Sequence, residues 1–284
     1  MKVGFYHVSK ELCQNEVIFG YKSPMRADDT NKKLGDLYQE CIKLDIELNC
    51  ITSEEMVDDL DAILVGDLDL KKDSLSKKIM NSTAKKILLL EECDVIRPDL
   101  WQETLWKLFD AIITWDDELA AGEKFVHSNF IDVRTFLGGN TFANRKHACL
   151  IAANKSVLHD DELYSKRLEV IEWFELNDPK NFELFGTGWD QKTFPLHSSL
   201  LSKLNGRRGA AIRKFLAPER PAWRGQVHKK INVLRDYRFC FAFENACNRP
   251  GYILEKIFDP MYAGCVPIYW GAKNIDQYLP EGTD

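Results

Sequence analysis

This 284-residue sequence lacks several features that mark common classes of protein. No stretch approaches the 18 or more apolar residues of a membrane-spanning helix, so an integral membrane protein is not expected. The phosphate-binding motifs GxGxxG and GxxxxGK[ST] do not occur, which leaves dinucleotide redox chemistry and Walker-type nucleotide hydrolysis without support. The first residues, MKVGFYHV, do not have the layout of a signal peptide and predict a strand instead.

Cysteine and histidine are present, but their spacing does not indicate a metal site. The eight cysteines lie mostly within apolar runs, without a CxxC or a Cys/His ligand pattern. A chain of this length does not need a disulfide scaffold to fold. We therefore expect no metal, and we predict a reduced, cytoplasmic protein, with peripheral attachment to the inner membrane as an alternative.

The charge is unevenly distributed along the chain. The formal net charge is -6, yet residues 201–230 contain nine lysines and arginines and only one acidic residue. A basic segment on an acidic protein favours an anionic ligand over general affinity for nucleic acid. A solvated basic surface is the alternative interpretation.

Short apolar runs alternate with segments of helical periodicity. Because both faces of such runs are apolar, the alternation predicts parallel sheets that are covered by helices on both sides. Strands are predicted at 3–8, 46–51, 62–65, 87–90, 111–115, 149–153, 182–185, 239–243 and 266–270. Helical spacing is found at 33–43, 99–109 and 163–174.

The segment LGGNTFANRKH, which ends at His147, interrupts this pattern with glycine and asparagine. It predicts a boundary between an N-terminal domain, 1–140, and a C-terminal domain, 141–284. We predict an α/β protein with two Rossmann-like domains that face each other across a cleft. Ligands of such sheets bind beyond the carboxyl ends of the strands, so functional side chains are expected there.

In the first domain, Glu91 and Glu92 directly follow the apolar run at 87–90. A carboxylate at the carboxyl end of a strand that faces a cleft is a candidate general base. The alternative is an exposed acid in a turn or at a helix start.

In the second domain, Asn154 follows the predicted strand ACLIAA, and Arg167 lies at the start of the helical segment 163–174. The planar guanidinium of arginine is suited to binding a pair of phosphates. A surface ion pair of Arg167 with Glu169 or Asp161 is the alternative.

The stretch FCFAF predicts a buried strand that stops at Glu244 and Asn245. A short helix is predicted to start at Gly251, with Glu255 and Lys256 in its first turn. The free N–H groups and the dipole of a helix N-terminus favour anions. A lysine is disfavoured at that position, so a bound anion is expected to balance the charge of Lys256.

The segment YRFCFAFENACNRPGYILEKIFDPMYAGCVPIYWGA resembles the donor-site signature of the α1,3/4-fucosyltransferases, glycosyltransferase family 10. That signature reads approximately YKF-x-x-x-FENS, then YVTEK, then G-x-x-PIYWG. LLLEE, LFDAIITW and AANKS followed by Arg167 are similar to further segments of the family. This sequence departs from the family at Leu254, Ala246 and Glu92-Cys93, where threonine, serine and Ser-Pro are usual.

The resemblance implies a GT-B fold and an inverting transfer of L-fucose from GDP-β-L-fucose to a hydroxyl group, O3 or O4 of GlcNAc or a related sugar. It implies that Glu91 is the general base, with Glu92 as the alternative, and that Arg167 and Lys256 hold the diphosphate. Glu255 and Tyr252 are expected near the ribose or the fucose, and Asn245 in the wall of the donor pocket. The implied donor-binding residues are Asn154, Arg167, Glu244, Asn245, Tyr252, Glu255 and Lys256.

The partners implied by the resemblance are GDP-fucose and an oligosaccharide or glycoconjugate acceptor, such as a lipopolysaccharide or a protein glycan. No cofactor and no metal are expected, because fixed cations can stabilise the leaving diphosphate. The family also leads us to expect that the second domain continues beyond residue 284. Two alternatives stay open, a GT-B transferase that uses another nucleotide-sugar and a noncatalytic protein that binds one.

Overall fold

The computed structural model consists of two compact units, Met1–Asp132 and Val133–Asp284. It describes residues 1–20, 32–129, 141–195 and 209–279. The predicted boundary at 140/141 adjoins residues that lie outside these ranges, and it stays a prediction. The two units are described separately.

The first unit contains a six-stranded parallel sheet in the order β2-β1-β3-β4-β5-β6. Helices and short 3-10 turns connect the strands. The strands are β1 Lys2–Tyr6, β2 Glu47–Cys50, β3 Ala62–Val65, β4 Lys85–Leu90, β5 Ala111–Thr114 and β6 Phe125–His127. The helices are α1 Asn15–Ile18, α2 Lys32–Lys43, α3 Ser74–Met80 and α4 Glu103–Trp106.

The central strands of this sheet are buried on both faces. Ile63 and Leu88 pack into one apolar cluster with Leu105 of α4, while Leu64 and Leu89 pack into a second cluster with Cys41 of α2. Successive side chains of a strand point to opposite faces, so the two clusters lie on opposite sides of the sheet. This is the doubly covered arrangement that the unbroken apolar runs predict.

The second unit contains a four-stranded parallel sheet in the order β10-β9-β7-β8. The strands are β7 Lys146–Ile151, β8 Phe182–Phe185, β9 Tyr237–Phe243 and β10 Val266–Trp270. The helices are α5 Tyr164–Asn177, α6 Ala210–Phe215, α7 Lys230–Leu234 and α8 Glu255–Tyr262. Ile171 of α5 packs on one face of the sheet and Leu234 of α7 on the other.

The strand order of the second unit reverses between β7 and β9. The chain runs from β7 to β8 on one side and then returns to place β9 on the other side of β7, where Cys149 pairs with Cys240. In parallel sheets such a switch point opens a crevice at the carboxyl ends of the two strands. Asn154 follows β7, and Glu244 and Asn245 follow β9, so these predicted site residues lie at the switch point.

The strands are better predicted than the helices. Each of the nine predicted strands is present, three of them with the predicted bounds and the others with ends shifted by at most three residues. The sequence does not reveal β6, because it has three residues and two of them are exposed. The predicted helix at 99–109 is wrong except for Glu103–Trp106. Turns occupy the preceding backbone, with Leu100 N–H donating to Arg97 O at 2.9 Å.

All eight cysteines are buried and free. Within the described ranges, no helix combines the length and the apolar character needed to cross a lipid bilayer.

Candidate active site

The site in the second unit is built around Glu244, the first residue after β9. Its side chain has no exposed surface. Oε1 accepts a hydrogen bond from the backbone N–H of Leu254 at 2.8 Å, and Oε2 lies 3.1 Å from Nζ of Lys256. The buried carboxylate therefore ties the end of β9 to the start of α8 and fixes the position of Lys256, whose side chain is 22% exposed.

Burial and charge act on Glu244 in opposite directions. Burial raises the pKa of its carboxyl group above the usual value, and the charge of Lys256 only partly offsets this. Because the two side chains lie 3.1 Å apart, they function as a unit. The carboxyl group of Glu244 thus lies next to Lys256, where the sequence argument expects a bound anion.

Glu255, the first residue of α8, is held by a lysine that sequence reasoning does not assign to the site. Nζ of Lys230 lies 3.0 Å from Oε1 of Glu255 and 3.3 Å from Oδ2 of Asp259. Burial raises the pKa of Glu255, but the charges of Lys256 and Lys230 outweigh it and lower the pKa well below the usual value. The carboxylate of Glu255 is therefore ionised at neutral pH. The position of Lys230 in the basic segment is the signal that could have identified it.

Helix α8 starts later than predicted. Gly251 has a φ of 79°, which is outside the helical region, and its N–H donates to Oδ1 of Asn274 at 2.9 Å. Leu254 is extended, with φ -109° and ψ -169°, because its N–H points to Glu244. The helix therefore begins at Glu255. It has eight residues and includes Pro260. This agrees with the predicted short helix, since proline is disfavoured in the interior of a helix.

Arg167 of α5 lies beneath the end of β9. Its Nη2 donates to the carbonyl oxygens of Phe243 at 2.8 Å and Glu244 at 2.6 Å, and to Oδ1 of Asn245 at 3.1 Å. Its guanidinium also stacks on the ring of Tyr164, 4.7 Å from the ring centre. Burial lowers the pKa of Arg167.

The alternative of a surface ion pair for Arg167 is wrong. Arg167 is 5% exposed, and its two suggested acidic partners are engaged elsewhere. Glu169 pairs with Lys166 at 2.7 Å, and Asp161 pairs with Arg249 at 2.9 Å. The guanidinium instead sets the backbone position from which Glu244 and Asn245 project.

Asn245 connects this arginine to Tyr252. Its side-chain oxygen accepts from Arg167, and its Nδ2 donates to the hydroxyl of Tyr252 at 3.3 Å. Tyr252 has no exposed surface. Both side chains therefore support the shape of the turn between β9 and α8.

Asn154 organises a second loop at the same edge of the sheet. Its Nδ2 donates to the carbonyl oxygens of Gly188 at 2.9 Å and Gln191 at 3.0 Å, and its Oδ1 accepts from Thr193 at 3.1 Å. The side chain thus holds the loop after β8 next to the end of β7.

Part of the positive charge of the basic segment, residues 201–230, is paired with acidic residues of the protein. Arg220 pairs with Glu172 and Glu175, Arg224 pairs with Glu183, and Lys230 pairs with Glu255 and Asp259. Residues 201–208 lie outside the described residues. Of the described basic residues in this segment, Lys230 contacts the site through its ion pair with Glu255.

Glu91 and Glu92 lie in the first unit, immediately after β4. Oε1 of Glu91 is 3.6 Å from Nζ of Lys33, and the Glu91 side chain is 41% exposed. The indole N–H of Trp115 donates to the carbonyl oxygen of Glu91 at 2.9 Å, and that of Trp101 donates to the carbonyl of Glu92 at 2.8 Å. The two rings lie 5.4 Å apart, so packed aromatic side chains hold the backbone that carries both candidate bases.

Gly271, at the end of β10, is a structural requirement of the site that sequence reasoning does not single out. A Cβ atom at this position would lie 2.5 Å from Cγ of Glu244 and even closer to the hydroxyl of Tyr269. Glycine therefore allows the backbone to approach the buried carboxylate. The PIYWG motif, in which this glycine closes the strand, is the available signal.

Gly271→Ala is expected to destabilise the protein by about 1–3 kcal/mol, the usual cost of forcing a side chain into filled space. The displaced neighbour is Glu244, so the position of Lys256 should change as well. Denaturant unfolding checks the stability. Gly122→Ala is the matched control, because its Cβ atom would meet neighbours only at 3.7 Å. Equal stability of the two variants would contradict the close approach.

Comparison with known proteins shows what the segment that carries this site is similar to. The model "Glycosyltransferase family 10 (fucosyltransferase) C-term" matches residues 213–283. The match contains β9, α8 and β10 with the residues between them, so the predicted resemblance to this family is confirmed for this segment.

The curated relatives are similar to this chain over a short segment. A GDP-fucose protein O-fucosyltransferase 3 of Danio rerio is 48% identical over 50 residues, and the human protein of the same name is 43% identical over 49 residues. A putative fucosyltransferase-like protein of Arabidopsis thaliana is 41% identical over 51 residues. The first two matches cover 17% of this chain and the third covers 18%, and each covers 10% of the relative.

Similarity to solved structures extends over nearly the whole chain. An α1,3-fucosyltransferase crystal structure matches with a TM-score of 0.55 and 13% identity, covering 98% of this chain and 70% of the other. An α-glucosyltransferase in complex with UDP and a mismatched DNA matches with a TM-score of 0.53 and 11% identity, covering 95% and 79%. At these identities the likeness concerns the fold, and it confirms the predicted α/β class of GT-B type.

Proposed function

We propose that this chain, which carries a glycosyltransferase family 10 domain, transfers L-fucose from GDP-β-L-fucose to a hydroxyl group of a glycan acceptor. The central supporting observation is the fully buried Glu244, which holds Lys256 at 3.1 Å at the switch point of the second sheet. A fixed cation at the mouth of such a crevice suits the diphosphate of a sugar nucleotide.

The proposed reaction is an inverting displacement. The acceptor hydroxyl loses its proton to the carboxylate of Glu91 or Glu92, and its oxygen forms a bond to C1 of the fucose. The bond between C1 and the β-phosphate oxygen breaks, and GDP leaves with the electron pair. Because the acceptor attacks the face opposite the leaving group, the β-linked donor yields an α-linked product. The base and the acceptor oxygen must therefore lie on that face.

The cations have distinct proposed roles. Lys256 neutralises charge that develops on the leaving diphosphate, and it is preorganised because Glu244 and Glu255 fix the start of α8. Arg167 is buried beneath the backbone of residues 243–245, so it supports the pocket as well as being a candidate ligand of the diphosphate. The ionised Glu255 is available for the hydroxyls of the ribose or the fucose and for the positive charge that develops on the sugar.

The acceptor has two candidates. The family resemblance supports O3 or O4 of GlcNAc or a related sugar. The name of the vertebrate relatives, GDP-fucose protein O-fucosyltransferase 3, instead suggests a hydroxyl group of a protein, and their identity of 43–48% lies in a segment of about 50 residues. Assay of both acceptor types with GDP-fucose distinguishes the two.

A donor screen by calorimetry tests the proposal. We expect GDP-fucose to bind more tightly than GDP-mannose, UDP-sugars or GDP alone. Preference for another nucleotide-sugar would identify a different GT-B transferase. Binding of GDP-fucose without transfer to any acceptor would identify a noncatalytic binding protein.

Transfer is expected to persist when EDTA is present. The proposed stabilisers of the leaving diphosphate are side-chain cations, which a chelator does not remove. Initial rates with and without EDTA check this, and re-addition of Mg²⁺ or Mn²⁺ is the control. A rate that collapses in EDTA and returns with the metal would contradict the assignment of Lys256 as the principal stabiliser.

A further inference from the structure

Two cysteines meet at the carboxyl edge of the first sheet. Cys50 is the last residue of β2, and Cys13 lies two residues before α1. Both pack in the same apolar cluster, where they are 4% and 3% exposed. A hydrogen bond joins their side chains, so the two sulfur atoms are in contact although they come from separate parts of the chain. The proposed transferase reaction leaves this pair without a role.

Backbone contacts hold Cys13 against the end of β2. Its Sγ lies 3.4 Å from the carbonyl oxygen of Ile51, the residue after Cys50, and 3.5 Å from that of Phe5 in β1. Asn15 fastens the same stretch, because its Oδ1 accepts a hydrogen bond from the N–H of Cys50 at 2.7 Å. Thiols in contact on segments that are held together can form a disulfide without a large backbone movement.

Cys13 has access to solvent through a cavity. This cavity, of about 210 Å³, lies at the carboxyl ends of β1 and β2, and Cys13 is part of its lining. Lys10, Gln14 and Thr52 also line it and are exposed, so the cavity opens to solvent. A single water molecule needs only roughly 10–15 Å³ of such space. Hydrogen peroxide, which is little larger than water, can therefore reach Cys13.

The contact makes the two thiols chemically unequal. The hydrogen bond with the Cys50 side chain lowers the pKa of Cys13, although burial acts in the opposite direction. The same hydrogen bond raises the pKa of Cys50, and burial adds to that effect. Because the thiolate is the form that attacks an oxidant, Cys13 is the thiol that reacts first, and Cys50 is in place to react with its product.

A second pair of contacting thiols provides a comparison within the same molecule. Cys149 of β7 and Cys240 of β9 are partners in the register of the second sheet, and a hydrogen bond joins their side chains. Cys149 has no exposed surface, and burial raises its pKa well above the usual value. This pair has the contact between thiols, but its Cys149 lacks the lowered pKa of Cys13.

We infer that Cys13 and Cys50 form a reversible disulfide when the protein meets hydrogen peroxide, and that Cys13 is the residue oxidised first. The thiolate of Cys13 attacks one oxygen of the peroxide, so that an S–O bond forms and the O–O bond breaks. The departing hydroxide takes up the proton that the thiol released and becomes water. Cys13 is then a sulfenic acid, and the peroxide has been reduced.

The second step closes the disulfide. Cys50 gives up its proton and attacks the sulfur of Cys13, so that the S–S bond forms and the S–O bond breaks. The hydroxide leaves and takes the proton of Cys50 as a second water. In total, two thiols and one peroxide give one disulfide and two waters. A dithiol reductant restores both thiols by exchange.

Peptide mapping by mass spectrometry tests the inference on the intact, fully reduced protein. The protein is treated with hydrogen peroxide, the remaining thiols are alkylated in denaturant, and the linked peptides are identified. We expect a Cys13–Cys50 linkage that dithiothreitol removes. It should form about tenfold or more faster than any Cys149–Cys240 linkage, since one pKa unit changes the thiolate fraction about tenfold.

Three variants assign the order of the two steps. Cys50→Ala should leave Cys13 as a sulfenic acid that dimedone traps, whereas Cys13→Ala should leave Cys50 reduced. Cys240→Ala is the matched control, since it breaks the comparison pair and should form the Cys13–Cys50 linkage as the unmodified protein does. Denaturant unfolding shows whether each variant is folded, and the mapping of the unmodified protein does not depend on any variant.

Three outcomes would overturn the inference. One is the absence of the Cys13–Cys50 linkage after peroxide treatment, and another is equal rates of linkage for the two pairs. The third is dimedone labelling of Cys50 in Cys13→Ala at the rate seen for Cys13 in Cys50→Ala, because the order of oxidation would then be wrong. None of these measurements uses GDP-fucose or an acceptor, so failure of the transferase proposal would be seen independently.

Discussion

Glu91→Gln is expected to lower the turnover of fucosyl transfer by about 10²–10⁴-fold, the usual contribution of a positioned general base. Glutamine has the same size as glutamate, but it cannot take the proton of the acceptor hydroxyl. Donor binding should not change, because the proposed contacts of GDP-fucose are made by the second unit. Turnover is measured with saturating donor and acceptor, and the donor Kd by calorimetry.

Glu92→Gln is the matched control, because it removes the neighbouring carboxylate from the same piece of backbone. We expect Glu92→Gln to have the smaller effect. A larger effect than that of Glu91→Gln would move the role of base to Glu92. Full turnover in both variants would eliminate the proposed base, and loss of donor binding would indicate a structural role.

Lys256→Ala is expected to lower turnover by about 10²–10³-fold, the scale of losing one preorganised group that stabilises charge in the transition state. This change also leaves the carboxylate of Glu244 buried without its cation. Removing one partner of a buried pair costs about 3–5 kcal/mol of stability. The loss of stability should shrink as the pH falls, because the pKa of Glu244 is raised and the neutral carboxyl no longer requires a cation.

A double variant separates the two effects of this lysine. Lys256→Met together with Glu244→Gln removes both charges and retains similar side-chain volumes. We expect it to unfold at nearly the denaturant concentration of the unmodified protein, yet to remain as inactive as Lys256→Ala. Recovery of turnover along with stability would show that the lysine only supports the fold. Unchanged turnover in Lys256→Ala would remove Lys256 from the diphosphate site.

Most of the fold follows from periodicity. Buried parallel strands need apolar residues on both faces, so runs such as LLL at 88–90 and AIIT at 111–114 are visible in the sequence. Short or exposed elements lack this signal, which explains the missed β6. The predicted start of α8 at Gly251 is too early for a different reason. Local spacing allows a helix from this residue, but the hydrogen bond between Leu254 and the distant Glu244 holds the chain extended.

The sequence predicts which residues belong to the candidate site, but it does not predict which side chains contact each other there. The ends of the apolar runs mark Glu91 in the first unit and Asn154 and Glu244 in the second, since parallel strands bring their carboxyl ends to one edge of their own sheet. Residues such as Lys230 and Gly271 come from separate parts of the chain. Their importance depends on which side chains they meet, and a single sequence does not record that.

By itself, the sequence determined that the chain forms parallel sheets, where those strands end, and which charged residues stand beyond them. The reason is that burial on two faces requires a residue pattern that can be read locally. Only the tertiary structure decided that Glu244 is fully buried against Lys256 and that Arg167 lies beneath the backbone of residues 243–245. These are contacts between residues far apart in the chain, and packing sets them.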